Sequence, residues 1–128
     1  MQKIFEGEKT IYQQIAKTIE DDILKDILKT DDVVPSTNQL AKFYTINPAT
    51  AAKGLNMLAE EGILYKKRGL GMYINEGAKE KVIKKRKLSF YHDLLINVLK
   101  EAEFLNITKK ELADMILSSD ISQEVKGE

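Results

Sequence analysis

The chain has no cysteine and no tryptophan, only two prolines and one histidine, and no net charge over its 128 residues. Without cysteine there is neither a disulfide framework nor a thiolate metal site, which fits a reducing cytoplasm. The opening Met1-Gln2-Lys3-Ile4-Phe5-Glu6 lacks the basic stretch and apolar run of a secretion signal. No segment approaches the ~20 apolar residues needed to span a bilayer, so no membrane partner is expected. The single histidine, His92, has no cysteine or second histidine nearby for a catalytic pair or a metal site. Gly69-Leu70-Gly71 lacks the rest of a nucleotide-binding fingerprint, and the Asp21-Asp22 and Asp31-Asp32 pairs lack calcium-loop spacing. These absences argue for a cytoplasmic protein that is not an enzyme and needs no cofactor and no metal.

What is present is an ordinary apolar share, 43%, enough for one compact domain and a modest appendage. The charge is unevenly spread. Residues 1–35 carry five lysines against eight carboxylates, whereas residues 36–75 carry Lys42, Lys53, Lys66, Lys67 and Arg68 against only Glu60 and Glu61. A basic middle between acidic and neutral flanks is compatible with docking on DNA. Lys79, Lys81, Lys84, Lys85, Arg86 and Lys87 form a second basic run, read first as a solvated helix face and second as a source of phosphate contacts.

Ile11, Tyr12, Ile15, Ala16, Ile19, Ile23 and Ile27 recur at helical spacing and predict an amphipathic helix over 10–28. Val33-Val34 extends the chain into Pro35. Ser36-Thr37-Asn38-Gln39 has the form of a capping box, opening a short helix with Leu40, Ala41 and Phe43 directed inward. Asn47-Pro48 opens another, because asparagine caps well and proline is best tolerated as the first helical residue. Leu55 and Leu58 give it an inner stripe, and Glu60-Glu61-Gly62 ends it. Two β-prone runs, Ile63–Lys66 and Met72–Ile74, flank the basic loop Lys67-Arg68-Gly69-Leu70-Gly71. The predicted fold is mainly α with a small β-hairpin: a winged helix-turn-helix over residues 1–77, followed by a C-terminal helical region over 78–128.

In that C-terminal region Tyr91, Leu94, Leu95, Val98, Ala102 and Leu105 form an apolar stripe on a helix over 79–105. Thr108-Lys109-Lys110-Glu111 is a second capping box, opening a helix with Leu112, Met115 and Ile116 on its apolar side; residues 119–128 read as a frayed polar tail. These apolar residues either meet a second copy of the chain, making a two-helix dimerisation hairpin, or pack back on the first helix.

A helix-turn-helix sends the N-terminal part of its second helix into the major groove while the first braces the backbone. The groove-facing candidates are Asn47, Ala49, Thr50 and Lys53, with Pro48 at the helix start. Thr50 suits a base, a phosphate or a thymine methyl, and Lys53 a guanine or a phosphate. Free N–H groups at the helix start are a further phosphate site, less the one that Pro48 removes. Ser36, Thr37 and Asn38 are candidate phosphate anchors. Lys67 and Arg68 supply charge in the wing, with Gly69 and Gly71 permitting close approach. Taken singly each feature is also an ordinary helix start or solvated turn; their order at the spacing of one fold favours DNA. The alternative is a winged helix used as a protein-interaction module without specific DNA readout.

Ile11-Tyr12-Gln13-Gln14-Ile15, Pro35-Ser36-Thr37-Asn38-Gln39-Leu40-Ala41, Ile46-Asn47-Pro48-Ala49-Thr50-Ala51-Ala52-Lys53, and Glu60-Glu61-Gly62-Ile63-Leu64 with Arg68-Gly69-Leu70-Gly71-Met72-Tyr73 form a collinear series. This series resembles the GntR family of bacterial regulators and, within it, the short YtrA-type subfamily. The resemblance implies a homodimer on an inverted-repeat operator in double-stranded DNA, working as a repressor, often of a transporter operon. It also implies a dimerising helical hairpin, too small to enclose a ligand by itself; a small-molecule effector would sit between subunits. Asn38 departs from the arginine usual at its position, and Ala49 and Ala52 are shorter than many relatives' groove-facing residues.

Overall fold

The computed structural model describes residues 8–120, so the expected polar tail lies beyond Asp120 outside the described residues, as do residues 1–7. The chain divides into two compact units, one ending at Arg86 and one starting at Lys87. The first comprises α1 (Glu8–Leu24), α2 (Thr37–Tyr44), α3 (Pro48–Glu60), β1 (Leu64–Lys67), β2 (Gly71–Ile74) and most of α4 (Ala78–Ser89). Three helices and a hairpin in this order make the expected winged helix-turn-helix. Its extent differs from expectation, because Ala78 and Val82 of α4 are buried in the same core as Ile15, Ile19, Leu55, Leu58 and Ile74. Detaching α4 at residue 78 would expose both, so the compact unit runs nine residues further than the sequence boundary.

Local chemistry sets the helix ends. α1 stops at Leu24, short of the predicted residue 28, because Asp26 adopts the left-handed conformation (φ 62°). The Ile27 N–H then reaches back to the Asp22 carbonyl (2.8 Å) and Asp26 N–H to Ile23 (3.1 Å), a Schellman closure. Ile27, which fits the apolar spacing, therefore lies past the helix end and is 62% exposed. Ser36 and Gln39 form the capping box of α2, and Asn47 caps α3 with Pro48 at its first position, as predicted. Phe43 departs from prediction and points outward, edge-on to Tyr44.

β1 and β2 pair antiparallel with Leu64 opposite Ile74 and Lys67 opposite Gly71. The segment before Pro35 joins the hairpin through a single antiparallel bridge, Val33 to Tyr73: Val34 N–H donates to the Met72 carbonyl (3.0 Å) and Ile74 N–H to that of Asp32 (2.9 Å).

α1 and α3 meet at Gly54. A Cβ added there would stand 2.9 Å from the backbone carbonyl oxygen of Tyr12 and 3.5 Å from the Ile15 side chain. The close approach thus requires a residue without a side chain in mid-helix, which costs roughly 1 kcal/mol of helix propensity.

α4 is held to α1 by charge. The Glu20 carboxylate is only 5% exposed and accepts from Lys85 Nζ (2.6 Å) and Arg86 Nε (2.9 Å). Lys85 also reaches Glu61 (2.8 Å), Arg86 reaches Asp21, and Lys79 reaches Asp26 (3.0 Å). Burial pulls the Lys85 and Arg86 pKa values down, but the carboxylates that accept their hydrogen bonds more than offset this, leaving both raised.

In the second unit the helical backbone contains a π-helical turn at Phe90–Leu95, then α5 (Ile96–Phe104) and α6 (Lys109–Ser118). A single α-helix over 79–105 was the expectation. The π turn inserts extra backbone, so the apolar stripe changes phase at Leu95, which apolar spacing alone does not reveal. Asn106 (φ 59°) ends α5 with Ile107 N–H on the Ala102 carbonyl (2.8 Å), and Thr108 and Glu111 cap α6 reciprocally.

Gly54→Ala gains helix propensity but collides with backbone; overpacking costs roughly 1–3 kcal/mol and wins, so denaturant unfolding should show a net loss of about 1 kcal/mol. Glu20→Gln removes the buried charge that Lys85 and Arg86 share, although each cation keeps a second carboxylate partner, Glu61 and Asp21. The expected loss is roughly 2 kcal/mol by the same assay, below the ~3–5 kcal/mol of fully buried pairs because Lys85 and Arg86 keep solvent access. Unchanged stability in either variant would contradict the packing or the clamp.

Candidate nucleic-acid interface

The start of α2 is built around its cap. The Ser36 hydroxyl oxygen accepts the Gln39 N–H (3.1 Å) and Gln39 Oε1 accepts the Ser36 N–H (2.8 Å), so the hydroxyl proton is left to donate outward. Asn38 is exposed, Thr37 half-buried, and Lys42 exposed in the last turn. At the start of α3 the expected phosphate site is already filled. Asn47 Oδ1 accepts the Ala49 N–H (2.8 Å), Thr50 N–H bonds the Asn47 carbonyl (2.9 Å), and Pro48 has no N–H.

The two faces of α3 are sharply divided. Thr50, Ala51, Gly54, Leu55 and Leu58 are buried, and Ala49, Lys53 and Asn56 are exposed on the opposite side. Thr50 was expected to face the groove. It is 4% exposed and one helical turn from Gly54, on the side that packs against the unit's interior, so it is removed from the reading face. Asn56, which sequence reasoning passed over, takes its place by helical phase: it lies three residues beyond Lys53, which is four beyond Ala49.

In the wing, the Leu70 N–H on the Lys67 carbonyl (2.9 Å) closes a tight turn. Gly69 (φ 76°) and Gly71 (φ 99°) supply the left-handed residues; neither is crowded, so backbone conformation rather than space demands glycine there. Lys66, Lys67 and Arg68 are all exposed.

Tyrosines underlie two of the cations. Lys53 Nζ stands 4.5 Å from the centre of the Tyr12 ring, and Lys67 Nζ 4.6 Å from that of Tyr73. Tyr73 stacks on Tyr65 (centroids 5.8 Å apart) and its hydroxyl donates to the Leu70 carbonyl (3.2 Å). The Tyr65 hydroxyl donates to Asp31 Oδ1 (2.7 Å); that hydrogen bond and the carboxylate's charge raise its pKa above the ordinary phenol value. Nothing in the sequence signals these pairings, because Tyr12 lies forty-one residues from Lys53 and Tyr65 thirty-four from Asp31.

The basic run 79–87 is mostly engaged. Lys79, Lys85 and Arg86 are ion-paired within the first unit and Lys81 reaches the Gly62 carbonyl (3.4 Å), while Lys84 and Lys87 are exposed. In the second unit Tyr91, Leu94, Val98, Leu105, Met115 and Ile116 are exposed, with Leu95 and Leu112 half-buried. Ala102, placed with them by the sequence, is buried in the single chain beneath the Asn106 turn. His92 is exposed on the π turn, edge-on to the Tyr91 ring. Among the described residues no helix is long and apolar enough to cross a membrane.

Comparison with known proteins matches residues 11–74 to the model of bacterial regulatory proteins, gntR family. The chain is similar to the HTH-type transcriptional repressor YtrA of Bacillus subtilis, 33% identical over 117 residues, covering 91% of this chain and 88% of that protein. A GntR family transcriptional regulator from Listeria monocytogenes superposes with a TM-score of 0.67 at 25% identity, over 86% of this chain and 95% of its own. One from Bacteroides thetaiotaomicron, described as a transcriptional regulator of the GntR family, gives 0.65 at 30% identity, over 84% and 93%. The matched span coincides with the winged helix-turn-helix from α1 to β2, and the chain belongs to the gntR family of bacterial regulatory proteins.

Proposed function

We propose that the protein is a sequence-specific DNA-binding transcriptional repressor that acts as a homodimer on an inverted-repeat operator. The observation that carries the DNA reading is the division of α3: an interior face locked into the core and an outward face bearing Ala49, Lys53 and Asn56, flanked by the exposed wing cations. The similarity to a protein named a transcriptional repressor supports the direction of regulation. Ser36, Thr37 and Asn38 serve as the backbone-side anchors, Lys67 and Arg68 as the wing's phosphate contacts, and Lys53 and Asn47 as the groove contacts. With only short neighbours at 49 and 52, base readout leans on Lys53, Asn56 and the wing. A cytoplasmic location goes with this reading.

The dimer rests on the second unit. Leu94, Tyr91, Val98, Leu105, Met115 and Ile116 are between 46% and 62% exposed, an apolar concentration that a solvated monomer has no reason to keep. Burying a leucine or methionine of this kind against a second copy is worth roughly 1.5–3 kcal/mol. Two reading heads would then address half-sites about 34–36 Å apart. Between α5 and α6 an apolar cleft of about 390 Å³, lined by Ile96, Leu99, Ile107 and Leu112 among others, is at the small end of ligand sites. An effector, where one binds, would need the partner subunit to close that cleft.

Fluorescence anisotropy with the DNA upstream of the protein's own gene, against scrambled DNA at several salt concentrations, tests the reading. Selective, steeply salt-sensitive binding is expected, and Arg68→Ala should weaken it and flatten the log–log salt slope by about 0.9. Equal binding to scrambled DNA would sink the operator assignment. Leu94→Asp should shift the protein to monomer in light scattering and weaken operator binding in parallel; an intact dimer would overturn this interface.

A further inference from the structure

Lys53 is the only cation on the outward face of α3, and what restrains it comes from another helix. Its ammonium stands 4.5 Å from the centre of the Tyr12 ring, and among the described residues it makes no ion pair. Its neighbours on α3, Ala49 and Ala52, are too short to confine a side chain with four rotatable bonds. The contact exists because α1 and α3 touch at the next residue: Gly54 lets the Tyr12 backbone come so close that an added Cβ would lie 2.9 Å from its carbonyl oxygen.

The kind of restraint matters. A carboxylate would hold the lysine more firmly, but it would neutralise the charge and compete with phosphate. A ring face attracts the ammonium from one side only, leaving N–H donors and the full charge for the duplex. Ordering a lysine costs rotamer freedom, so a side chain already confined binds with less to lose. The wing repeats the pattern, with Lys67 Nζ 4.6 Å from the Tyr73 ring centre, although Tyr73 also stiffens the hairpin.

We propose that Tyr12 is a positioning residue for DNA recognition, its ring holding the Lys53 ammonium in place for the duplex. This rests on α3 being the reading helix. The test measures affinity for the upstream DNA, by anisotropy at fixed salt, for Tyr12→Leu, Tyr12→Phe, Lys53→Met and the double variant Tyr12→Leu/Lys53→Met. It also reads the Lys53 ε-methylene proton shifts by NMR in the DNA-free protein. Tyr12→Leu should lose about two- to fivefold in affinity, the reach of an exposed cation–π contact. Tyr12→Phe, which keeps the ring, should hold wild-type affinity, and Tyr12→Leu should cost nothing further once Lys53 is methionine. The ε-methylene protons should be shifted upfield in wild type and Tyr12→Phe and return to ordinary values in Tyr12→Leu. Equal losses from Tyr12→Leu in both Lys53 backgrounds would assign Tyr12 to the fold alone, and equal losses from Leu and Phe would assign its hydroxyl; either overturns the proposal. An unchanged affinity in Lys53→Met would overturn α3 as the reading helix, while the proton shifts would still report the ring contact by themselves.

Discussion

The contact between α1 and α3 at Gly54 decides most of what surrounds it. A helix pair ordinarily separated by two layers of side chains is here brought together by the lack of one, and the consequences run in both directions along α3. On the inner side, Thr50 and Ala51 are drawn into the core with Leu55 and Leu58. On the outer side, Lys53 comes to lie over Tyr12, and Ala49 and Asn56 are left to solvent. One residue without a side chain thus sets which face of the helix is structural and which is free for recognition.

A second constraint explains how a chain with zero net charge presents basic elements. Carboxylates in and just beyond α1 are matched by cations of α4: Glu20 and Asp21 with Lys85 and Arg86, and Asp26, past the helix end, with Lys79. These pairings cancel in place. Lys42, Lys53, Lys66, Lys67 and Arg68, on α2, α3 and the wing, have no ion pair among the described residues. Net charge sums over both populations and so conceals the difference; the field at a duplex depends on the uncompensated set.

The same pairing ties α4, as far as Arg86, to the winged helix. Glu20 is buried enough that its charge would be costly alone, and Lys85 and Arg86 approach it from a helix whose own apolar content is slight. Val82 and Ala78 add the apolar part of the contact. Beyond Arg86 the chain forms a separate unit whose apolar residues find few partners in a single copy.

The order of elements, the three capped helix starts at Ser36, Asn47 and Thr108, and the glycine turn of the wing were legible from sequence because each depends on residues within four positions of one another. The winged-helix core was equally legible where apolar spacing is strict, as in Ile15, Ile19 and Ile23. What sequence spacing could not supply was phase and partnership at a distance. Thr50 satisfies every local criterion for a groove contact and is inside because it shares the inner face of α3 with Gly54, where α1 packs. Ile27 continues the apolar repeat, yet a left-handed Asp26 has already ended the helix. The lysine-rich run of α4 reads as a solvated face until α1 brings Glu20 and Asp21 against it. Local covalent preferences determined which segments are helix, turn and strand; the tertiary structure alone decided which side of α3 faces outward and which cations remain unpaired, because both depend on side chains brought together from opposite ends of the unit.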